Sequence, residues 1–216
     1  DKTVHSVVHG VIYLEQLAPD YGSERRRLRV IKYRGQSFRG GYHDFVIKTG
    51  GVSVFPRLRA IEHKTGFERT TLSSGLPEFD DLLGGGIERG ASTLLLGPAG
   101  VGKSAIATQY AVAAASRGEK SAIFAFEETR ETLLKRAENL GQNVREYLDA
   151  GTIGLQRVDP AQLTPGEFAH IVRQAVERDG VQLVVIDSLN GYLNAMPEMR
   201  FLLLHLHELL TYLGQQ

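Results

Sequence analysis

LLLGPAGVGKSA, residues 94–105, is the stretch that decides the fold of this 216-residue chain. Its apolar start belongs to a run, Ser92–Leu96, that is typical of a buried strand, and Lys103–Arg117 has the pattern of a helix. The letters from the first glycine to the serine match G-x-x-x-x-G-K-[ST], a phosphate-binding loop. Because a helix N-terminus attracts anions, the stretch predicts a nucleotide triphosphate site between strand and helix.

Each part of this loop has a predicted role. The glycines permit backbone turns that a Cβ would forbid, so that N–H groups can surround phosphate oxygens. Lys103 adds a positive charge for the β- and γ-phosphates, and the Ser104 hydroxyl is a ligand for Mg²⁺. We therefore expect ATP and Mg²⁺ to bind. The predicted nucleotide-binding residues are Gly97, Pro98, Ala99, Gly100, Val101, Gly102, Lys103, Ser104 and Ala105.

Composition limits the classes of function. Basic and acidic residues number 25 each, so no net charge favours nucleic acid or a membrane surface. The absence of cysteine excludes disulfides, thiolate metal sites and cysteine nucleophiles, and fits a cytoplasmic protein. No apolar run approaches the ~20 residues of a membrane span, and no signal peptide is visible. Since the first residue is Asp1, we expect an excised or processed fragment.

The sequence changes character along the chain. Residues 1–58 contain β-branched and aromatic runs separated by turn signals, which predict an antiparallel β segment. Residues 59–73 are polar with little periodicity and are interpreted as a linker. The predicted strands are Val7–Leu14, Leu28–Tyr33, Tyr42–Lys48 and Val52–Phe55.

Residues 74–216 alternate strand and helix patterns, which predicts an α/β domain with a mainly parallel sheet and helices on both faces. Thr164-Pro165-Gly166-Glu167 supplies a helix N-cap signal. The predicted strands are Ser92–Leu96, Ser121–Phe126, Thr152–Gln156 and Leu183–Ile186. The predicted helices are Lys103–Arg117, Arg130–Leu140, Val144–Leu148, Pro165–Arg178 and Pro197–Leu213.

Acidic residues follow two of the predicted strands of this domain. The apolar run that ends in Asp187 is the Walker B pattern and predicts a second Mg²⁺ ligand. Glu127 and Glu128 end the strand after the loop helix, where ligands lie in open α/β sheets. They are candidates for polarising the attacking water, or else they are the acidic start of the next helix.

A third candidate is the pair Lys32 and Arg34, two residues apart on one face of a strand. Such a pair can reach a phosphate as an arginine finger does. The residues alone favour an ordinary solvated basic face, because four more arginines lie nearby at 25, 26, 27 and 29.

Several motifs together are similar to those of one family. SGLPEFD (74–80) leads to GGGI (84–87), and GPAGVGKS (97–104), FAFEE (124–128) and VVIDSL (184–189) follow in order. Upstream, RRRLRVIKYRG (25–35) and GGYHDFVI (40–47) look like the tail of another such domain. The chain thus resembles the KaiC-like branch of the RecA-type P-loop ATPases over nearly its whole length.

The resemblance implies a domain organisation. Family members often carry two RecA-like domains in tandem, so residues 1–58 would be the last strands of one copy. Residues 74–216 would be the P-loop ATPase domain, truncated at its C-terminal end. Because unpaired sheet edges favour pairing, we hypothesise that residues 1–58 supply the missing strands, in cis or from a neighbouring molecule.

The resemblance also implies partners and roles. It implies a ring homo-oligomer, a hexamer in the intact protein, that works with regulatory proteins and has a signalling or clock-type role. In such rings a K-x-R element acts on the neighbour's nucleotide, and Lys32 and Arg34 match this element. Glu127 and Glu128 match the family's paired catalytic carboxylates.

Some relatives phosphorylate their own adjacent Ser and Thr. Here Thr3-Val4-His5-Ser6 contains no adjacent pair, which disfavours serine/threonine kinase action on these positions.

Two alternatives to the ring ATPase stay open. A DNA-dependent recombinase or helicase motor shares the fold, but Leu189–Glu198 has no Lys or Arg where a DNA loop would lie, and net charge is zero. The other alternative is a nucleotide-gated assembly module that binds ATP without hydrolysing it.

Overall fold

The computed structural model of the protein describes residues 2–18, 22–59, 70–193 and 199–216. Its first part is a short helix followed by four antiparallel strands in the order β1-β2-β3-β4. This confirms the predicted antiparallel segment, although Val7 belongs to the helix and not to the first strand. The bounds are α1 Lys2–Val7, β1 Gly10–Leu17, β2 Arg25–Tyr33, β3 His43–Lys48 and β4 Gly51–Phe55.

A small two-stranded sheet comes next. Strand β5 (Thr71–Leu72) pairs with β6 (Ile87–Glu88), and helix α2 (Pro77–Leu82) lies between them in the chain. Most of the predicted linker 59–73 falls outside the described residues, and its end includes β5. The division of the chain after residues 58 and 73 stays a prediction.

The second large part of the fold is built on a parallel sheet with strand order β8-β7-β9. Its elements match the predicted ones to within a few residues, while α2 and α7 were not predicted. The start of the last predicted helix, at Pro197, lies outside the described residues. The strands are β7 Lys120–Ala125, β8 Ile153–Arg157 and β9 Val181–Asp187; the helices are α3 Lys103–Ser116, α4 Arg130–Asn139, α5 Val144–Asp149, α6 Pro165–Glu177, α7 Leu189–Leu193 and α8 Met199–Leu213.

Helices cover both faces of this sheet, as predicted. Helices α3, α4 and α5 pack on one face through a cluster of alanine and branched aliphatic side chains. On the other face, the rings of Phe124, Phe126, Phe168 and Tyr192 contact one another at centroid separations of 5.2–5.8 Å. The parallel sheet, its helices and the antiparallel sheet confirm the predicted α/β class. None of the helices in the described ranges is both long and apolar enough to cross a membrane.

Local signals placed helix α6 correctly. Thr164 Oγ1 accepts a hydrogen bond from the backbone N–H of Glu167 at 3.1 Å, and Pro165 occupies the first helical position. The side-chain oxygen thereby satisfies one N–H group that the first turn of a helix leaves without a partner. The predicted cap is confirmed.

The predicted strand Ser92–Leu96 is wrong for the described chain. This segment pairs with no strand among the described residues, and Leu94 and Leu96 are 59% and 83% exposed. A strand exists only where its backbone N–H and C=O groups find a neighbouring strand. Along the edge of β9 that does not pair with β7, the described residues supply no such neighbour.

The antiparallel sheet packs against α6 instead of extending the parallel sheet. Asp44 Oδ2 accepts a hydrogen bond from the backbone N–H of Gly166 at 2.8 Å. Lys48 forms an ion pair with Glu167 at 2.9 Å. In the described chain, strands β1–β4 pair with none of β7–β9. The expected completion of the sheet in cis therefore does not occur, and completion from a neighbouring molecule stays a prediction.

Candidate functional site

The glycine-rich loop opens directly into helix α3. Gly100 and Gly102 have φ angles of +82° and +96°, in the left-handed region that glycine adopts without strain. Gly102 is the N-cap position, so Lys103 and Ser104 are the first two helical residues. The first N–H groups of a helix have no intrahelical acceptor and lie at the positive end of its dipole. The loop therefore places backbone donors and positive charge together, as a phosphate requires.

The Lys103 side chain folds over this loop. Its Nζ donates hydrogen bonds to the carbonyl oxygens of Gly97 at 2.8 Å and Pro98 at 2.7 Å. The ammonium group is therefore held against the backbone that the motif assigns to phosphate binding. The remaining predicted binding residues, Ala99, Val101 and Ala105, adjoin it in the loop and the first turn of the helix.

Helix α3 brings the loop to the carboxyl edge of the parallel sheet. Helix α3 ends at Ser116 and β7 begins at Lys120. The helix therefore lies on one face of the sheet and runs in the direction opposite to β7. Fourteen helical residues span about 21 Å, and the six residues of β7 span about 20 Å. The start of α3 therefore lies near the edge at which β7 and β9 end.

Glu127 and Asp187 both lie at this edge. Ala125 pairs with Asp187 in the ladder, and the backbone N–H of Phe126 donates to the Asp187 carbonyl at 2.7 Å. Immediately beyond, Ser188 Oγ donates a hydrogen bond to Glu127 Oε1 at 2.7 Å. The Asp187–Ser188 peptide bond is cis. The predicted acidic residues Glu127 and Asp187 thus follow or end neighbouring strands, and the hydroxyl of Ser188, the residue after Asp187, holds the Glu127 carboxylate.

Gly191 permits the close packing that holds Ser188 in place. A Cβ at this buried position of α7 would lie 2.5 Å from the Cβ of Phe126, so only glycine fits. The backbone N–H of Gly191 also donates to Ser188 Oγ at 3.2 Å. Ser188 is not among the predicted site residues, and its one sequence signal is its place directly after Asp187.

The two glutamates have different surroundings. Glu128 is partly buried and accepts hydrogen bonds from Arg136 of α4, at 3.2 Å from Nε and 2.9 Å from Nη2. Glu127 is exposed and accepts its hydrogen bond from a neutral hydroxyl. Glu128 is therefore engaged in an ion pair, whereas Glu127 is presented at the sheet edge.

Lys32 and Arg34 lie at the end of helix α1. Lys32 Nζ donates to the carbonyl of His5 at 2.8 Å, and Arg34 Nη2 donates to that of Ser6 at 2.9 Å. Cations at the C-terminal carbonyls of a helix are a favourable arrangement. Among the described contacts, none joins this pair to the loop at 97–104, so their role on a neighbour's nucleotide stays a prediction.

A buried carboxylate anchors the loop that precedes α2. Asp80 accepts hydrogen bonds from Ser73 Oγ at 2.6 Å and from the backbone N–H of Ser74 at 2.8 Å. The Ser73 hydroxyl is the main cause that lowers the pKa of Asp80 below its usual value, and the Ser74 N–H lowers it further. The ionised carboxylate fixes this loop, whose Ser74 carbonyl accepts a hydrogen bond from Gln109 of α3 at 3.1 Å.

The chemistry of these side chains fits a nucleotide with its Mg²⁺. Ser104 and Asp187, the predicted metal ligands, offer a hydroxyl and a carboxylate, and Mg²⁺ prefers oxygen ligands. In phosphate sites Mg²⁺ takes one or two protein ligands and completes its shell with phosphate oxygens and water. The positive-φ glycines and Lys103 supply the complementary site for the phosphates.

A helix-flanked parallel sheet whose glycine-rich G-x-x-x-x-G-K-S loop opens a helix defines a P-loop protein of RecA-like fold. The family model described as the KaiC ATPase matches residues 72–216. The chain therefore belongs to the KaiC family of ATPases.

Individual relatives agree with this assignment. The circadian clock protein KaiC2 of Synechocystis is 30% identical over 172 residues, which cover 79% of this chain and 30% of that protein. The circadian clock oscillator protein KaiC of Prochlorococcus marinus is 30% identical over 77% of this chain and 33% of its own length. The circadian clock oscillator protein KaiC of Synechococcus elongatus is 28% identical over 79% of this chain and 33% of its own length. The chain matches about a third of the length of these relatives.

Proposed function

We propose that this chain is an ATP-binding and ATP-hydrolysing module that acts within a ring oligomer. The observation that carries the proposal is the arrangement at the carboxyl edge of the parallel sheet. There β9 ends at Asp187, Glu127 lies two residues beyond the end of β7, and the loop that opens α3 lies near the same edge. A phosphate-binding loop together with two carboxylates is the set that nucleotide hydrolysis requires.

Each residue has a proposed role in the reaction. The loop N–H groups and Lys103 bind the β- and γ-phosphates of ATP, and Ser104 and Asp187 hold Mg²⁺. When bound, Mg²⁺ neutralises charge on the phosphate oxygens. Glu127 orients the attacking water and accepts its proton, while Ser188 orients the Glu127 carboxylate. Glu128 supports this edge through its ion pair with Arg136.

The ring and its biological setting belong to the same proposal. We place the nucleotide between subunits of a ring homo-oligomer, a hexamer in the intact protein, where Lys32 and Arg34 stabilise charge on the neighbour's phosphates. The circadian clock names of the relatives support a signalling or clock-type role with regulatory protein partners. Serine/threonine kinase activity and a cytoplasmic location stay predictions.

The test is ATP turnover and nucleotide binding by the chain and its Lys103→Ala variant, together with its mass in solution. Lys135→Ala is the matched control, because this lysine is exposed on α4. We expect Lys103→Ala to abolish turnover and weaken nucleotide binding, and Lys135→Ala to change neither. Turnover that survives Lys103→Ala would contradict the proposal.

One observation favours a second candidate, the assembly module that binds ATP without hydrolysing it. The segment 92–96 pairs with no strand in the described chain, so the backbone that leads into the loop lacks lateral support. A loop without that support can bind phosphate while its geometry for hydrolysis is incomplete. Nucleotide-dependent assembly with no turnover, unchanged by Glu127→Gln, would identify this function.

A further inference from the structure

Helix α3 buries several alanines together with the larger Tyr110. Its fully or nearly buried residues include Ala111, Ala114 and Ala115. Helices lock together when side-chain ridges enter the grooves of a neighbour, and methyl groups form only shallow ridges. The alanine contacts therefore resist movement along the helix axis less than larger side chains would, and Tyr110 supplies the one large side chain among the buried residues of α3.

Two glutamines add directional hydrogen bonds to this apolar packing. Gln142, in the connection between α4 and α5, donates from Nε2 to the carbonyl of Ala105 at 3.0 Å and to Gln109 Oε1 at 3.2 Å. Gln109 in turn donates from its own Nε2 to the carbonyl of Ser74 at 3.1 Å. Because Asp80 fixes Ser74, the hydrogen bonds run from that loop through α3 to the α4–α5 connection.

The orientation of the Gln142 amide is dictated by its acceptors. Gln142 is buried, and its Nε2 faces two oxygens, which only an N–H donor can satisfy. This leaves its Oε1 buried without a hydrogen-bond donor in the described part of the chain. The backbone is also held, since the Gln142 N–H donates to the Ala137 carbonyl at 2.9 Å. The side chain is therefore a rigid link from a fixed backbone to the first turn of α3.

We propose that Gln142, acting through Ala105 and Gln109, is a positioning residue that fixes α3 along its axis and thereby places the phosphate-binding loop. Ala105 lies two residues after Lys103, so a shift of this turn moves the ammonium group and the adjoining loop N–H groups together. The inference rests on the proposed nucleotide site and adds the residue that holds its geometry.

The test is the Gln142→Met variant of the full chain, which keeps side-chain length and removes both donors. We expect the dissociation constant of ADP to rise roughly five- to tenfold, the size expected for one or two lost hydrogen bonds. Unfolding by urea should change little, because loss of the unsatisfied Oε1 offsets the lost bonds. Native-state hydrogen exchange should accelerate at the amides of residues 106–109 and not in α6. Gln174→Met, at an exposed position of α6, is the matched control.

Three results decide the matter. Weaker ADP binding together with faster exchange confined to the start of α3 supports the proposal. Unchanged exchange at residues 106–109, or exchange that accelerates equally throughout the chain, overturns it.

If Gln142→Met does not fold, Gln109→Met breaks the same series of hydrogen bonds and is judged by the same measurements. If the unmodified chain does not bind ADP, the proposed function fails, and hydrogen exchange alone decides the positioning role.

Discussion

Ser188 Oγ donates a 2.7 Å hydrogen bond to Oε1 of Glu127 and so joins the segments that directly follow two neighbouring parallel strands. A glutamate side chain has several rotatable bonds, and ordering it has an entropic cost. The serine hydroxyl lowers that cost at the moment of reaction because it holds the carboxylate beforehand. A general base must lie within hydrogen-bond reach of the proton that it accepts, so such orientation contributes directly to rate.

The first prediction separates the two adjacent glutamates. We expect Glu127→Gln to lower kcat for ATP about 10²- to 10⁴-fold, the range for loss of a general base, while ADP binding persists. Glu128→Gln should retain most turnover but lower the free energy of unfolding by about 1 kcal/mol, because it weakens the ion pair with Arg136. Steady-state kinetics and urea unfolding measure the two effects. If Glu128→Gln loses more turnover than Glu127→Gln, Glu128 and not Glu127 is the general base.

The second prediction concerns the orienting hydroxyl. Ser188→Ala removes the donor to Glu127, and we expect kcat to fall about tenfold with little change in KM, since in the proposed arrangement Ser188 acts on Glu127 and not on the phosphates. Residues that act as a unit have non-additive effects. In the Glu127→Gln background, the same serine substitution should therefore have almost no further effect. Additive losses in the double variant would show that Ser188 acts independently of Glu127.

Patterns that are local in sequence predicted most of the fold. The loop with its Lys-Ser ending, the capped start at Thr164 and the acidic ends of β7 and β9 are each encoded within a few residues. Local propensity and capping determine such features directly. This is why these elements and the α/β class follow from the sequence.

Features that depend on distant residues were not predictable in this way. The leucines of 92–96 have the composition of a buried strand, but whether a strand forms depends on a neighbour elsewhere in the chain. Ser188 meets Glu127 across 61 positions, and Gln142 meets Ala105 across 37. Serine and glutamine carry no charge or periodicity that reveals such contacts, so only the folded arrangement shows them.

The third prediction tests action between subunits. If Arg34 completes a neighbour's site, Arg34→Ala and Lys103→Ala chains should each be inactive alone. Mixed oligomers should regain activity, because an Arg34→Ala chain with an intact loop can receive Arg34 from a Lys103→Ala neighbour. Arg26→Ala, which removes an exposed ion pair with Glu24, is the control for loss of a nearby cation. Mixtures that stay inactive would contradict a shared site.

The last prediction concerns Asp80 and pH. Hydrogen bonds from Ser73 and Ser74 lower the pKa of the folded carboxyl below its usual 3.8, so the folded state favours the ionised form. The resulting stability is fully present above the unfolded pKa and is lost as the pH falls through the folded pKa. Asp80→Asn should therefore lower the urea midpoint at about pH 7, and the difference from the unmodified chain should shrink below about pH 4. Asp81→Asn, at the exposed neighbouring position, should show no such trend. If Asp80→Asn lowers the urea midpoint by the same amount at both pH values, the ionised charge of Asp80 does not hold the Ser73–Ser74 loop.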